Sequence, residues 1–340
     1  MLTNYWYIGC GTVQLNDAPY ASTILEDRIV IFRNRDGKAC ALKDRCCHRG
    51  FPLSQGKLSE GNLVCGFHGW NYESSGQCIK IPSQEPGKNV SKTCRVPIYP
   101  CVEKDGYVWV WIGDREPQEV PSIVEFQATK WIQGSRTVNC DFLRALEITF
   151  DIAHVYFVHP THPATMAAGK VGFSLESSEL RLTENGCAWL HPLPPAETNT
   201  IPEYCGRMEF SLPGRIHFAW PSPAGEVFMN FHVIPMGEGK CRIEYLVQNH
   251  APESPQLQWS NGPSEIMDED ARTLEAIQLV YEREGEDFER SVEADAPPLM
   301  LRRIVRMAQE GKWQGLQTDL PSRRTISSMM PRRYGASEKE

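Results

Sequence analysis

Arg45-Cys-Cys-His-Arg-Gly-Phe-Pro52 and Val64-Cys-Gly-Phe-His-Gly-Trp-Asn-Tyr72 each carry a thiol and an imidazole at close spacing, Cys46-x-His48 and Cys65-x-x-His68. Sixteen residues separate the two pairs. Glycines 50, 66 and 69 lie beside the ligating types, so each stretch reads as a tight loop presenting one sulfur and one ring nitrogen. Two thiolates on one iron and two imidazoles on the other is the division that a mixed-ligand 2Fe-2S cluster requires. Glycine also lets backbone N–H groups approach the inorganic sulfurs and tune the potential. The competing reading is a Cys2His2 zinc site, but zinc fingers group their ligands as a Cys pair followed by a His pair, whereas here each pair is mixed. Cys47 has the wrong spacing to His48 and reads as a bystander thiol.

Around these loops, residues 1–118 read as short strands broken by turns: Arg28-Ile-Val-Ile-Phe32, Asn34-Arg-Asp-Gly37, Ala39-Cys-Ala-Leu42 and finally Gly106-Tyr-Val-Trp-Val-Trp-Ile112. This predicts an N-terminal all-β domain, with Gly113-Asp-Arg-Glu-Pro117 and Pro121 as linker. From 119 to 340 the pattern becomes α+β. A helix is expected over Asp141–Val158, stopped by Pro160, and later helices over Asp270–Glu284 and Leu299–Gln309. Strands are expected at Glu179–Leu182, Arg207–Phe210, Ile216–Trp220, Val227–Ile234 and Arg242–Val247. The stretch 321–340 reads as a flexible tail.

The bulk properties narrow the function. With 340 residues, 41% hydrophobic and 23% charged, the chain is an ordinary globular protein of about two domains. Thirty-five basic against 43 acidic residues give a net charge of −8, which excludes nucleic acid as the main partner. Apolar runs such as Tyr107–Ile112 fall far short of the roughly 20 residues that cross a bilayer. Met1-Leu-Thr-Asn-Tyr-Trp6 has neither a basic n-region nor an apolar h-region, so a cytoplasmic protein is expected, with its twelve cysteines as free thiols or metal ligands.

A second constellation sits in Glu147-Ile-Thr-Phe-Asp-Ile-Ala-His-Val-Tyr-Phe-Val-His-Pro160, of the form D-x2-H-x4-H. Asp151 and His154 are i,i+3 and share a helix face. His159 is i+5 from His154, roughly 140° round a regular helix, so both rings reach one metal only if the helix bulges or unwinds. Pro160 supplies a reason to unwind. Two imidazoles and one carboxylate make the facial triad that leaves iron(II) open to oxygen. His162, His217 and His232 read as non-ligands, with His162 the first substitute for His159.

Taken together, these motifs resemble those of the Rieske non-haem iron aromatic-ring-hydroxylating oxygenases, specifically the α-only branch that includes vanillate and dicamba O-demethylases and caffeine N-demethylases. The resemblance implies a Rieske domain followed by a catalytic domain with a curved antiparallel sheet and helices around a mononuclear iron, a helix-grip arrangement. It implies a third iron ligand opening a helix of the form D-x4-E-x-x-[EQ]; Asp270-Ala-Arg-Thr-Leu-Glu-Ala-Ile-Gln278 fits, with Asp268 and Glu269 as competitors. It also implies that Asp151 bridges His154 to His68 of an adjacent copy, hence a cyclic oligomer, a homotrimer. The chain departs from the family at Cys47 and Gly66, where many members have Pro, and at Ile148, where Asn is common. Respiratory Rieske proteins carry a disulfide where Phe51 and Phe67 stand and a Ser where Trp70 stands, so the cluster here is expected to have a lower potential.

The activity implied is that of a terminal oxygenase component. Inserting one atom of O2 into a C–H bond while reducing the other to water takes two external electrons, and the cluster carries one at a time. A separate NAD(P)H-dependent reductase or ferredoxin is therefore expected to dock near His48 and His68; the chain has no convincing G-x-G-x-x-G fingerprint of its own. The substrate is expected to be a small aromatic or heterocyclic compound, hydroxylated or O- or N-demethylated with release of formaldehyde. Phe228, Asn230 and His232 on one strand face, with Phe218 and Trp220 as neighbours, are the candidate pocket, although core packing produces the same pattern. The alternatives are cis-dihydroxylation of an arene and, in another class, an electron carrier; a carrier has no need of Asp151, His154 and His159.

Overall fold

The structure, a computed structural model, describes residues 1–123, 131–160, 179–192, 205–222, 225–249 and 263–313. His162 and the stretch 321–340 lie outside them. The N-terminal strands form three small antiparallel sheets. Strands β1 (Tyr5–Gly11), β10 (Cys101–Lys104) and β11 (Tyr107–Ile112) make the first, in the order β1-β11-β10. The second runs β2 (Tyr20–Ile24), β3 (Asp27–Arg33), β4 (Ala39–Lys43) and β9 (Ile98–Tyr99). The third runs β5 (Lys57–Ser59), β6 (Asn62–Val64), β7 (Asn71–Tyr72) and β8 (Cys78–Lys80). The unbroken apolar run of β11 is explained by its central place, which buries all six residues.

The second domain is built on one antiparallel sheet in the order β12-β18-β17-β16-β15-β14-β13: β12 (Trp131–Val138), β13 (Glu179–Thr183), β14 (Gly186–Pro192), β15 (Cys205–Ser211), β16 (Arg215–Ser222), β17 (Gly225–Gly237) and β18 (Lys240–Asn249). Strands β13 to β18 meander, and β12 closes on the last of them. β12 and β14 do not appear among the predicted strands. β12 is an edge strand whose Ser135, Arg136 and Thr137 are exposed, and Gly134 is needed there because a Cβ would sit 2.1 Å from the Tyr245 hydroxyl of β18.

Strand alternation gives this sheet two faces. One, with Ile216, Phe210, Val233, Ile243 and Tyr245, packs on α1 (Phe142–Thr149), α3 (Pro263–Glu284) and α4 (Ala296–Gln309) through Ala145, Leu146, Ala271, Leu274, Leu301 and Ile304. The other packs on the N-terminal domain, where Ile234 and Leu246 join Trp109 and Tyr107. Across that interface Arg242 of β18 reaches the carbonyls of Ile8 (2.7 Å) and Gly9 (3.0 Å) and the hydroxyl of Ser22 (3.1 Å).

Two sequence expectations about helices need correction. The segment 141–158 is two helices, α1 and the single turn α2 (Val155–Val158), with the break at 150–154, ending on His154. Asp270 does not open its helix; α3 begins seven residues earlier, at Pro263. Met267, Asp270, Ala271 and Leu274 form its inward stripe at i, i+3, i+4 and i+7. The polar first turns hid its start.

Candidate metal centres

The two Cys/His loops share one backbone geometry. In the loop after β4, Cys46 N donates to Phe51 O at 2.8 Å and Gly50 N to Cys46 O at 3.0 Å; in the loop after β6, Cys65 N donates to Trp70 O and Gly69 N to Cys65 O, both at 2.9 Å. Closing such a loop requires a left-handed residue, and Gly50 (φ +76°) and Gly69 (φ +70°) supply it. Each loop thereby turns its thiol inward and its imidazole outward. Cys46 and Cys65 are 2% and 3% exposed, while His48 and His68 lie at the surface with ring centroids 4.7 Å apart.

This donor set fits a 2Fe-2S cluster. Burial holds the Cys65 thiol above its ordinary pKa while the N–H groups of Phe67 and His68 pull the other way, so amides already point at the sulfur. A bound metal, not the apo protein, would supply the charge that removes the thiol proton. The Tyr72 hydroxyl lies 3.0 Å from Cys46 Sγ, and once that sulfur is a thiolate only the hydroxyl can donate. Cys47 is exposed and shares Tyr72, whose hydroxyl accepts from Cys47 N at 3.3 Å. In the sequence nothing in the spacing of Tyr72 distinguishes it from a core residue. Phe51 and Phe67 face each other at 6.0 Å, and Trp70 stacks on His48 at 4.6 Å with 5° between planes.

At the second centre the chain breaks where chemistry needs it to. α1 is capped by Asp141, whose carboxylate accepts from Leu143 N at 2.9 Å. After Phe150 the helix stops, and the Asp151 carboxylate accepts from Ala153 N at 2.7 Å to start a new turn. His154 and His159 bracket α2, and His159 leaves helical geometry (φ −117°, ψ 53°). That departure removes the 140° problem: the two rings come within 5.5 Å.

Asp270 completes the set. Its Oδ1 lies 3.5 Å from His154 Nε2 and 3.1 Å from His159 Nε2, and it is buried without a hydrogen-bond partner. The three ligand atoms lie within 4.8 Å of one another, as a metal held at about 2.0–2.2 Å by each would require. Burial lowers the His154 pKa, but the Asp151 and Asp270 carboxylates more than offset it and bring it to about 9; a bound metal would displace that proton. Asp268 points away, pairing with Arg136 at 3.1 Å, and Glu269 meets His159 Nδ1 at 2.7 Å. The rest of the D-x4-E-x2-Q motif docks α3 on the entrance to α1: Glu275 accepts from Asn139 N (3.1 Å) and Nδ2 (2.9 Å), and Gln278 from Asp141 N (2.9 Å).

The five candidate pocket residues do not share a face. Phe228, Asn230 and His232 lie on the side of the sheet turned to the N-terminal domain, where His232 packs between Tyr107 and Trp109. Asn230 Oδ1 meets His217 Nδ1 at 3.0 Å, and Phe228 stacks on the His217 ring. Phe218 is on the helix side with Phe231, 5.6 Å away, and Trp220 is in the same register, paired with Val227. The sequence shows alternation but not which face meets which domain.

Buried His217 and His232 make stability depend on pH. Burial, with Arg215 adding to it, lowers both pKa values, His217 to about 4 even though the Asn230 hydrogen bond pulls upward. Arg207 lowers His217 further and Glu209 opposes it. Between about 6.5 and 4 the unfolded chain binds these protons and the folded chain does not, so stability falls as pH drops, at up to about 1.4 kcal/mol per pH unit for each ring. Urea midpoints across that range are expected to fall with pH, and His217→Gln to flatten the slope.

An all-β domain with mixed thiol and imidazole loops, placed against a sheet whose helices gather two histidines and an aspartate, defines the Rieske-type proteins with a separate mononuclear centre. A Rieske 2Fe-2S domain model matches residues 5–100, and the Vanillate O-demethylase oxygenase C-terminal domain model matches residues 138–310, just over half of the chain. The chain belongs to this family of Rieske proteins with a vanillate O-demethylase type C-terminal domain. It is 32% identical over 179 residues to a putative toluene-4-sulfonate monooxygenase system iron-sulfur subunit from Comamonas testosteroni, covering 50% of each chain. It is 31% identical over 169 residues to the dicamba O-demethylase oxygenase component of Stenotrophomonas maltophilia, covering 48% and 49%. It thus spans about half the length of the curated relatives it matches. The crystal structure of dicamba monooxygenase bound to dicamba superposes with a TM-score of 0.77 at 20% identity, over 92% of this chain and 98% of that one, so the fold is shared.

Proposed function

We propose that the chain is the terminal oxygenase component of a multi-component Rieske system, catalysing O2-dependent hydroxylation or O- or N-demethylation of a small aromatic or heterocyclic compound. Residues 1–118 form its electron-receiving domain and 119–340 its oxygen-activating domain. The observation that carries the reading is the buried, unpartnered Asp270 Oδ1 between two histidine Nε2 atoms, in a chain whose cluster loops lie elsewhere. An electron carrier has no use for that site.

Cys46, Cys65, His48 and His68 would hold the 2Fe-2S cluster, and His154, His159 and Asp270 the mononuclear iron(II). When bound, the cluster relays single electrons and the iron activates O2 beside the substrate. The exposed rings of His48 and His68 are where an NAD(P)H-dependent reductase or a ferredoxin would deliver electrons. Two histidines and one carboxylate leave coordination positions free, as oxygen and substrate need. Asp151, with a side chain 29% exposed and Oδ2 3.7 Å from His154 Nδ1, would join His154 to His68 of a neighbouring copy in a homotrimer; its partial exposure beside His154 supports that role. Phe218 and Phe231 give the helix side of the sheet an aromatic lining. In the described residues no helix is long and apolar enough to cross a membrane; the cytoplasmic setting is proposed from cysteines that read as free thiols or metal ligands and not as a disulfide framework.

The test is a screen of the purified protein with a surrogate reductase against methoxylated and N-methylated aromatics. Oxygen uptake matched by formaldehyde is expected. A cis-diol product would favour dihydroxylation, and reduction of the cluster with no product from any substrate would favour the carrier.

A further inference from the structure

The two metal-facing histidines are held differently on their far sides. His159 Nδ1 meets Glu269 Oε2 at 2.7 Å, a charge-assisted hydrogen bond at a residue only 2% exposed. His154 Nδ1 is buried with no hydrogen-bond partner, and Asp151 stands off at 3.7 Å. We infer that Glu269 is a positioning residue for the mononuclear centre: its carboxylate accepts from His159 Nδ1 and so holds the ring with Nε2 turned to the position a metal would share with Asp270. The inference rests on reading His154, His159 and Asp270 as one metal site.

A neutral imidazole has one N–H, so with a metal on Nε2 the proton is on Nδ1, where Glu269 accepts it. Glu269 and Asp270 are adjacent on α3, about 100° apart round its axis, and they grip opposite edges of the same ring. Asp270 faces Nε2 and Glu269 faces Nδ1. In this arrangement Glu269 is no ligand, because the two ring nitrogens point in divergent directions and its carboxylate is on the wrong one. The ring is thereby set before any metal arrives, whereas His154 still has an acceptor to gain. Outer carboxylates of this kind typically contribute 10–100-fold to metal affinity.

The experiment uses protein with the cluster intact and the mononuclear site emptied by mild chelation, titrated with Co(II) and followed by its visible d–d bands and by calorimetry. The cluster's absorption and EPR signals report that the fold is kept. Glu269→Ala is expected to bind Co(II) 10–100-fold more weakly with shifted d–d bands, Glu269→Gln, which keeps an uncharged acceptor, to fall between, and Asp270→Ala to lose binding. Wild-type affinity and bands in Glu269→Ala, with binding lost in Asp270→Ala, would overturn the role of Glu269 alone. Wild-type affinity in Asp270→Ala would overturn the site itself. If Glu269→Ala loses the cluster signal, Glu269→Gln decides: a several-fold weaker Co(II) affinity supports the inference and an unchanged one overturns it.

Discussion

Replacing His154 by alanine is expected to abolish product formation, by about a thousandfold or more, while leaving the cluster's visible absorption and EPR spectrum unchanged. Removing the ring leaves Asp270 Oδ1 facing His159 alone. A bound metal contributes several kcal/mol to such chemistry, and each 1.4 kcal/mol is about tenfold in rate. The cluster should not notice. Its ligands sit on loops after β4 and β6, whose backbone bonds run among residues 46–70 and to the Tyr72 hydroxyl, and His154 is in neither the apolar core under those loops nor that of the interface with the sheet. Activity surviving at more than about a tenth of wild type would remove His154 from the metal site. Loss of the cluster signal would mean the two centres are not independent.

How much of this was legible beforehand depended on whether the information was local. The cluster loops were readable because their ligands, turns and glycines lie within a few residues of each other, and the structure places Cys46, His48, Cys65 and His68 together as their spacing implies. That the helix must open between His154 and His159 was also legible, since helix geometry alone says that i,i+5 cannot converge, and His159, just before Pro160, does leave helical geometry; the earlier break at 150–154, where the Asp151 turn starts α2, was not legible. Asp270 follows only from the family resemblance, and the sequence does not separate it from its neighbours; their partners in the fold do, Arg136 for Asp268 and a histidine ring for Glu269. The two faces of the pocket strands were not legible for a different reason. Phe228, Asn230 and His232 alternate correctly, but a strand buried on both faces carries no mark of which face meets helices and which meets another domain.

That ambiguous face holds the contact with the largest expected effect on folding. Arg242→Met is expected to lower stability by about 3–5 kcal/mol, because it leaves the Glu244 carboxylate buried and uncompensated. Glu244 is 1% exposed, its Oε1 is 2.9 Å from Arg242 Nε, and burial already pushes its pKa upward against the pull of Arg242. Only the Ser135 hydroxyl, donating at 2.9 Å, would remain. The same substitution strips the carbonyls of Ile8 and Gly9 of a shared donor, so the N-terminal domain loses its polar anchor on β18 as well. Urea unfolding followed by tryptophan fluorescence should show the drop as a lower midpoint at similar slope. Adding Glu244→Leu should recover part of the loss by removing the orphaned charge, but not all of it, since the Ile8 carbonyl loses its arginine donor and the Gly9 carbonyl keeps only the Ser22 hydroxyl, and a buried acceptor left short of a donor costs about 1–3 kcal/mol. Full recovery in the double variant would mean that the pair stabilises only itself. In that case the two domains would be held by Ile234, Leu246, Trp109 and their neighbours, with no contribution from the arginine.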